Sequence, residues 1–138
     1  MLRDYPMVVV EEFIPRMNAA LSSIRTNLIA AGVPAGNITV EELDSTDLRW
    51  EINALRGARR LRAFIELTDA THTGGPPGHA IFTFWVDGDG TEITHSYAPG
   101  GRQPYTTQAG LDALLAKLAQ AEATLPEIRV KVRAHLGL

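Results

Sequence analysis

The stretch Leu48 to Leu67, LRWEINALRGARRLRAFIEL, constrains the fold more than any other part of the chain. Its spacing predicts a β-hairpin turning on Gly57-Ala58, with Arg56 paired to Arg59. In that register Ala54 faces Leu61, Ile52 faces Ala63, Trp50 faces Ile65 and Leu48 faces Leu67. Every pair on that face is apolar. The other face carries Arg49, Glu51, Asn53, Leu55, Arg60, Arg62, Phe64 and Glu66, with Glu66 opposite Arg49. A slip of one residue would mix the two sets, so the pattern itself selects the register. Glycine first in a two-residue loop suits a type II′ turn, whose twist matches that of the strands.

A second hairpin follows from His79–Val86 and Thr91–Tyr97, which flank Asp87-Gly88-Asp89-Gly90. Pairing Val86 with Thr91 sets Phe84 against Ile93, Phe82 against His95 and Ala80 against Tyr97. Ile81, Thr83 and Trp85 then face Ser96, Thr94 and Glu92 on the opposite side. Asn37 to Leu43 reads as a first strand. Between the hairpins lies DATHTGGPPG, a loop by composition, and a loop of that length in a small domain is usually mobile or functional.

Helical periodicity marks the two ends of the chain. From Glu11 to Ala31, apolar residues recur at Phe13, Met17, Ala20, Leu21, Ile24 and Leu28, with Pro15 placed in the first turn. Met7 to Val10 fits a short strand or a lead-in to this helix. Thr106 or Thr107 caps a second helix with the stripe Leu111, Leu114, Leu115 and Leu118. Residues 125–136 read two ways. Thr124-Leu-Pro-Glu127 has the form of a capping box that begins another helix. Ile128, Val130, Val132, Ala134 and Leu136 alternate with polar residues, as in a strand. The helix is preferred because Gly137 would stop it.

These elements give one α+β domain over residues 1–138. Its antiparallel sheet of about five strands, built from two hairpins, is packed by an N-terminal helix and one or two C-terminal helices. The expected inner face holds Trp50, Ile52, Ile65, Leu67, Phe82, Phe84 and Ile93. The element order (helix, antiparallel meander, helix) resembles that of the small acidic chaperones of secretion systems. That resemblance implies a dimer and brings no site residues with it.

Composition narrows the function by exclusion. Hydrophobic residues make up 45% and charged residues 21%, with a net charge of −3, too mild to imply a nucleic-acid or membrane partner. There are no cysteines, which removes thiolate nucleophiles and thiolate metal sites. The start, MLRDYPMVVVEEF, is neither a signal peptide nor a spanning helix, so the expectation is a cytoplasmic protein. The phosphate-binding, nucleophile-elbow, metalloprotease-helix and dinucleotide signatures are all missing. Asp87-Gly-Asp-Gly90 resembles a fragment of a calcium loop but lacks the closing glutamate, and a hairpin turn accounts for it better.

Two clusters remain as candidates. His72, His79 and His95, with a carboxylate such as Asp69, are the candidate metal or acid–base residues, though their spacing follows no ligand pattern. Arg56, Arg59, Arg60 and Arg62 at the hairpin tip are the candidate anion-binding residues, set against a plain solvated turn. The outer sheet face offers Phe64, Ile81 and Trp85 as an apolar strip for an interface. The alternative to an interface is a cover formed by the C-terminal segment. The expected function is a non-enzymatic binding or interaction module, a dimeric chaperone-like or adaptor protein without cofactor. The alternatives are a small enzyme or metal-dependent ligand binder using the histidines, or a phosphate or nucleic-acid binder using the arginines.

Overall fold

The computed structural model describes residues 5–44, 48–96 and 102–138. Helix α1 (Met7–Ala30) leads into strands β1 (Ile38–Asp44), β2 (Leu48–Arg56), β3 (Arg59–Asp69), β4 (His79–Gly88) and β5 (Thr91–Ser96). A two-residue strand β6 (Gln103–Pro104) precedes helix α2 (Gln108–His135). The strands form one antiparallel sheet in the order β1-β2-β3-β4-β5, with β6 pairing to the start of β4. The class is α+β. None of the helices, among the described residues, is long and apolar enough to cross a membrane.

The first hairpin has the register that its apolar alternation dictates, from Leu48↔Leu67 to Arg56↔Arg59. Gly57 has φ 60°, the positive value that a type II′ turn requires at its first central position. Both helices pack on the face that holds Trp50, Ile52, Ile65, Leu67, Phe82 and Phe84, and one continuous core results. Phe13 of α1 meets Phe82 of β4 with ring centroids 6.3 Å apart. Arg16 of α1 makes a bidentate ion pair with Glu122 of α2, one arm being Nε to Oε2 at 3.1 Å. Arg129 of α2 donates to Ser23 Oγ of α1 at 2.6 Å. The helices are therefore bound to each other as well as to the sheet.

Three expectations are corrected. Helix α1 starts at Met7, so Pro15 lies in its interior rather than its first turn, and Met7–Val10 is neither strand nor lead-in. An interior proline costs about 3 kcal/mol. Against that, Val9, Phe13, Met17, Leu21, Ile24 and Leu28 are all buried along one stripe. Each contributes roughly 1.5–3 kcal/mol on burial, and burial wins.

The same argument settles the C-terminus. A single helix runs through Pro126, and no capping box opens a new one at Thr124; that hydroxyl instead donates to the Ala121 carbonyl at 2.7 Å. Ile128, Val132 and Leu136 are spaced by four, which suits a strand and a helix equally. Val130 and Ala134 decide the matter. Val130 is 57% exposed, as a helix requires and a strand buried on one face forbids. The segment packs into the inner core, so it is no cover for the outer face.

The second hairpin is the third correction. The turn is the two-residue Asp89-Gly90, with φ 52° and 82°, so both central residues are left-handed as in a type I′ turn. Gly88 pairs with Thr91, where Val86 was expected. A bulge opposite Val86 and Asp87 adds one residue to β5, at Ile93, and inverts the facing beyond it. Val86 therefore pairs with Thr94, Trp85 with His95, and Phe84 with Ser96. His95 takes a position opposite outer-face Trp85, not beside Phe82.

Candidate functional site

With both helices on one side, the other side of the sheet is the surface to consider. The two hairpins are neighbours: β3 pairs with β4 so that Phe64 lies directly opposite Trp85. Their rings stack at 6.4 Å between centroids and 11° between planes. The Arg49 guanidinium lies 4.1 Å from the Phe64 centroid, and that of Arg62 lies 5.1 Å from it. Ile81 sits four residues along β4 from Trp85, opposite Thr68, with the Glu66–Thr83 pair between it and the aromatic pair. The expected strip of three is thus an aromatic pair and a separate isoleucine.

Carboxylates fix the two arginines. Arg49 bonds Glu66 at 2.8 Å and Glu51 at 3.4 Å, and Arg62 bonds Glu51 at 2.7 Å. Burial raises the proton affinity of Glu51, but the hydrogen bond and charge of Arg62, with those of Arg49, outweigh it. The Glu51 carboxyl is held below its ordinary pKa. Trp85 Nε1 donates to Asp87 at 2.9 Å, which orients the indole. This ladder was only half legible. The Arg49–Glu66 pair is directly cross-strand, and Arg62–Glu51 is a diagonal pair that the hairpin register already implied.

The four tip arginines do not gather. Strand alternation sends Arg56 and Arg59 to the helix side and leaves Arg60 and Arg62 on the outer side. Arg56 donates to the Leu136 carbonyl at 2.8 Å, and Arg59 to the His135 carbonyl at 2.6 Å. These are the unsatisfied carbonyls at the C-terminus of α2, where a cation is favoured by the helix dipole. Arg60 and Arg62 border an open depression of about 400 Å3, and they share it with Asp87 and Asp89. Two guanidiniums and two carboxylates cancel there.

From that arrangement, Arg56→Ala and Arg59→Ala are each expected to lower stability by about 1 kcal/mol. Amide exchange should speed up in residues 132–138 and little elsewhere. Stabilisation by either variant, as relief of like charge at the tip would produce, would contradict the arrangement.

His79 Nδ1 lies 3.1 Å from the Pro77 carbonyl, at the start of β4. The His72 and His95 side chains lie outside the described residues, and among those described no group of three metal-ligating side chains converges. Asp69 is 5% exposed and engaged. It accepts from Thr71 N at 3.0 Å, Thr71 Oγ1 at 2.7 Å and the Tyr105 hydroxyl at 3.1 Å. Tyr105 N also donates to the Gly78 carbonyl at 2.9 Å, so the glycine–proline loop is tied down at both ends. Asp69 thereby joins the end of β3 to the approach to α2. The chain was compared with protein-family models, curated proteins and solved structures, and it matches none of them.

Proposed function

We propose that this protein is a non-enzymatic binding module that associates with a second copy of itself through the open face of its sheet. One observation supports the reading above others: the stacked Phe64–Trp85 pair sits at the middle of a face that neither helix covers. Around it stand Arg49 and Arg62 together with Glu51 and Glu66, both signs interleaved. A two-fold interface needs one surface complementary to itself, and a mixed-charge rim around an aromatic centre meets that need. A chaperone-like or adaptor role is the finer form of the same proposal.

Sedimentation of the wild type and of Trp85→Glu tests it. The wild type should run as a dimer and Trp85→Glu as a monomer with unchanged far-ultraviolet circular dichroism. A wild type that stays monomeric up to millimolar concentration would overturn the reading.

A further inference from the structure

The helices run side by side in parallel: Arg16 of α1 meets Glu122 of α2, and two turns further along each, Ser23 meets Arg129. The two contacts differ in charge. Arg16 has a carboxylate opposite it, whereas Arg129, half-buried, has only a hydroxyl. A guanidinium drawn partly out of water is stabilised by a counter-ion, as Arg16 and Arg49 are within this protein. None reaches Arg129 among the described residues. From Phe13 to Ala30, α1 contains no acidic residue. Helix α2 has none after Glu127, whose exposed carboxylate is bound to Lys131 at 2.8 Å. Arg133 follows Arg129 on the same face of α2, a like-charge spacing that costs stability unless an anion lies between.

Beside Arg129 the surface is hollowed. An open depression of about 490 Å3 runs along α1, with Ala19 and Ala30 lining it towards its ends. Between them Ser22, Ser23 and Thr26 contribute hydroxyls, and no carboxylate lines it among the described residues. The Ser22 and Thr26 hydroxyls have no hydrogen-bond partner among those residues. Arg129 spends one N–H on Ser23 Oγ, which fixes the guanidinium at the rim and leaves the rest of its fork free.

We propose that this depression binds a small soluble phosphate monoester, with Arg129 as the charge that holds it and the three hydroxyls as further donors. The donors outnumber the two oxygens of a carboxylate and suit the several oxygens of a phosphate. The depression is also larger than a phosphate group, and its alanines leave room for an apolar organic part. The helix dipole sets the direction. Unpaired carbonyls in the last turn of α1 repel an anion near Ala30, so the phosphate belongs beside Ser22, Ser23 and Arg129. The organic part then points towards Ala30. This site lies on the helix side, away from the face assigned to self-association, and each can fail without the other.

The test is an NMR titration with phenyl phosphate at fixed pH and ionic strength, with benzoate as the carboxylate control. The wild type should bind phenyl phosphate saturably in the millimolar range. Shifts should be confined to the amides of residues 19–30 and to Arg129 Nε–H. Benzoate should bind about tenfold more weakly. Arg129→Gln should weaken phosphate binding about tenfold or more. Ser22→Asp, which puts a carboxylate into the depression at an exposed position, should do the same should Arg129→Gln not fold. Lys117→Gln removes a cation on α2 outside the depression and should leave binding unchanged. No saturation, equal binding of benzoate, binding retained by Ser22→Asp, or equal loss with Lys117→Gln would overturn the proposal. So would retention on vesicles containing phosphatidic acid without binding of phenyl phosphate, which would assign the charge to a membrane surface.

Discussion

Trp50→Ala is expected to cost on the order of 3–5 kcal/mol, a large part of what holds a domain together. Trp50 is 4% exposed and sits in β2 opposite Ile65, inside the core that α1 closes. Its removal deletes the largest side chain on that face and leaves a void that the paired strands and the long helix are poorly placed to fill. Phe64 lies next to that row on the opposite side of the sheet, only half-buried. Phe64→Ala loses the stacking on Trp85 and the two guanidinium contacts, worth about 1–2 kcal/mol together. Denaturant unfolding with matched m-values gives the comparison, made at one low protein concentration because dimerisation would add to apparent stability. Equal losses would mean that both faces are buried in solution, and the two-layer arrangement would then be wrong.

The first hairpin was legible because its information is local. Twenty residues contain both strands, the turn glycine and a two-sided alternation, and each fixes the same register. The second hairpin contains the same kinds of signal, but the bulge at Ile93 makes the facing on one side of it a poor guide to the other. Asp89-Gly90 is itself a strong type I′ signal, hidden by the identical-looking Asp87-Gly88 immediately before it.

The long helices were misjudged for a different reason. Pro15 and Pro126 are strong local breakers, and only the sheet beneath them supplies the burial that overrides them. That is a tertiary effect, invisible along the chain. The arginine tip shows the same limit. Four guanidiniums within seven residues look like one cluster until the strand alternation divides them, and the carbonyls that Arg56 and Arg59 meet lie about eighty residues away. Of the outer face, the residues were readable, but the contiguity of Phe64 with Trp85 needed the pairing of β3 to β4.

Gly110→Ala should destabilise the protein by about 3 kcal/mol or more, against the direction that helix propensity predicts. Gly110 lies in the first turn of α2, where its N–H donates to the Thr107 Oγ1 cap at 3.1 Å. In an isolated helix, alanine there would be favoured by about 0.5–1 kcal/mol. In this protein, a Cβ on Gly110 would stand 1.7 Å from the Pro104 carbonyl oxygen and 2.7 Å from its carbon. Those atoms are backbone and have little freedom to move. Pro104 pairs with His79, and the next residue is held by Tyr105 N to Gly78 O and by the Tyr105 hydroxyl to buried Asp69. Relief therefore requires the start of α2 to lift away from β6, which would loosen the burial of Leu114 and Leu118 behind it. The melting temperature should fall by on the order of 10 °C. Ala109→Gly, at the exposed neighbour, is the matched control and should cost only the ordinary propensity difference of about 0.5–1 kcal/mol. If Gly110→Ala melts at or above the wild-type temperature, the helix start does not rest on Pro104, and the seating of α2 on the sheet must be redrawn.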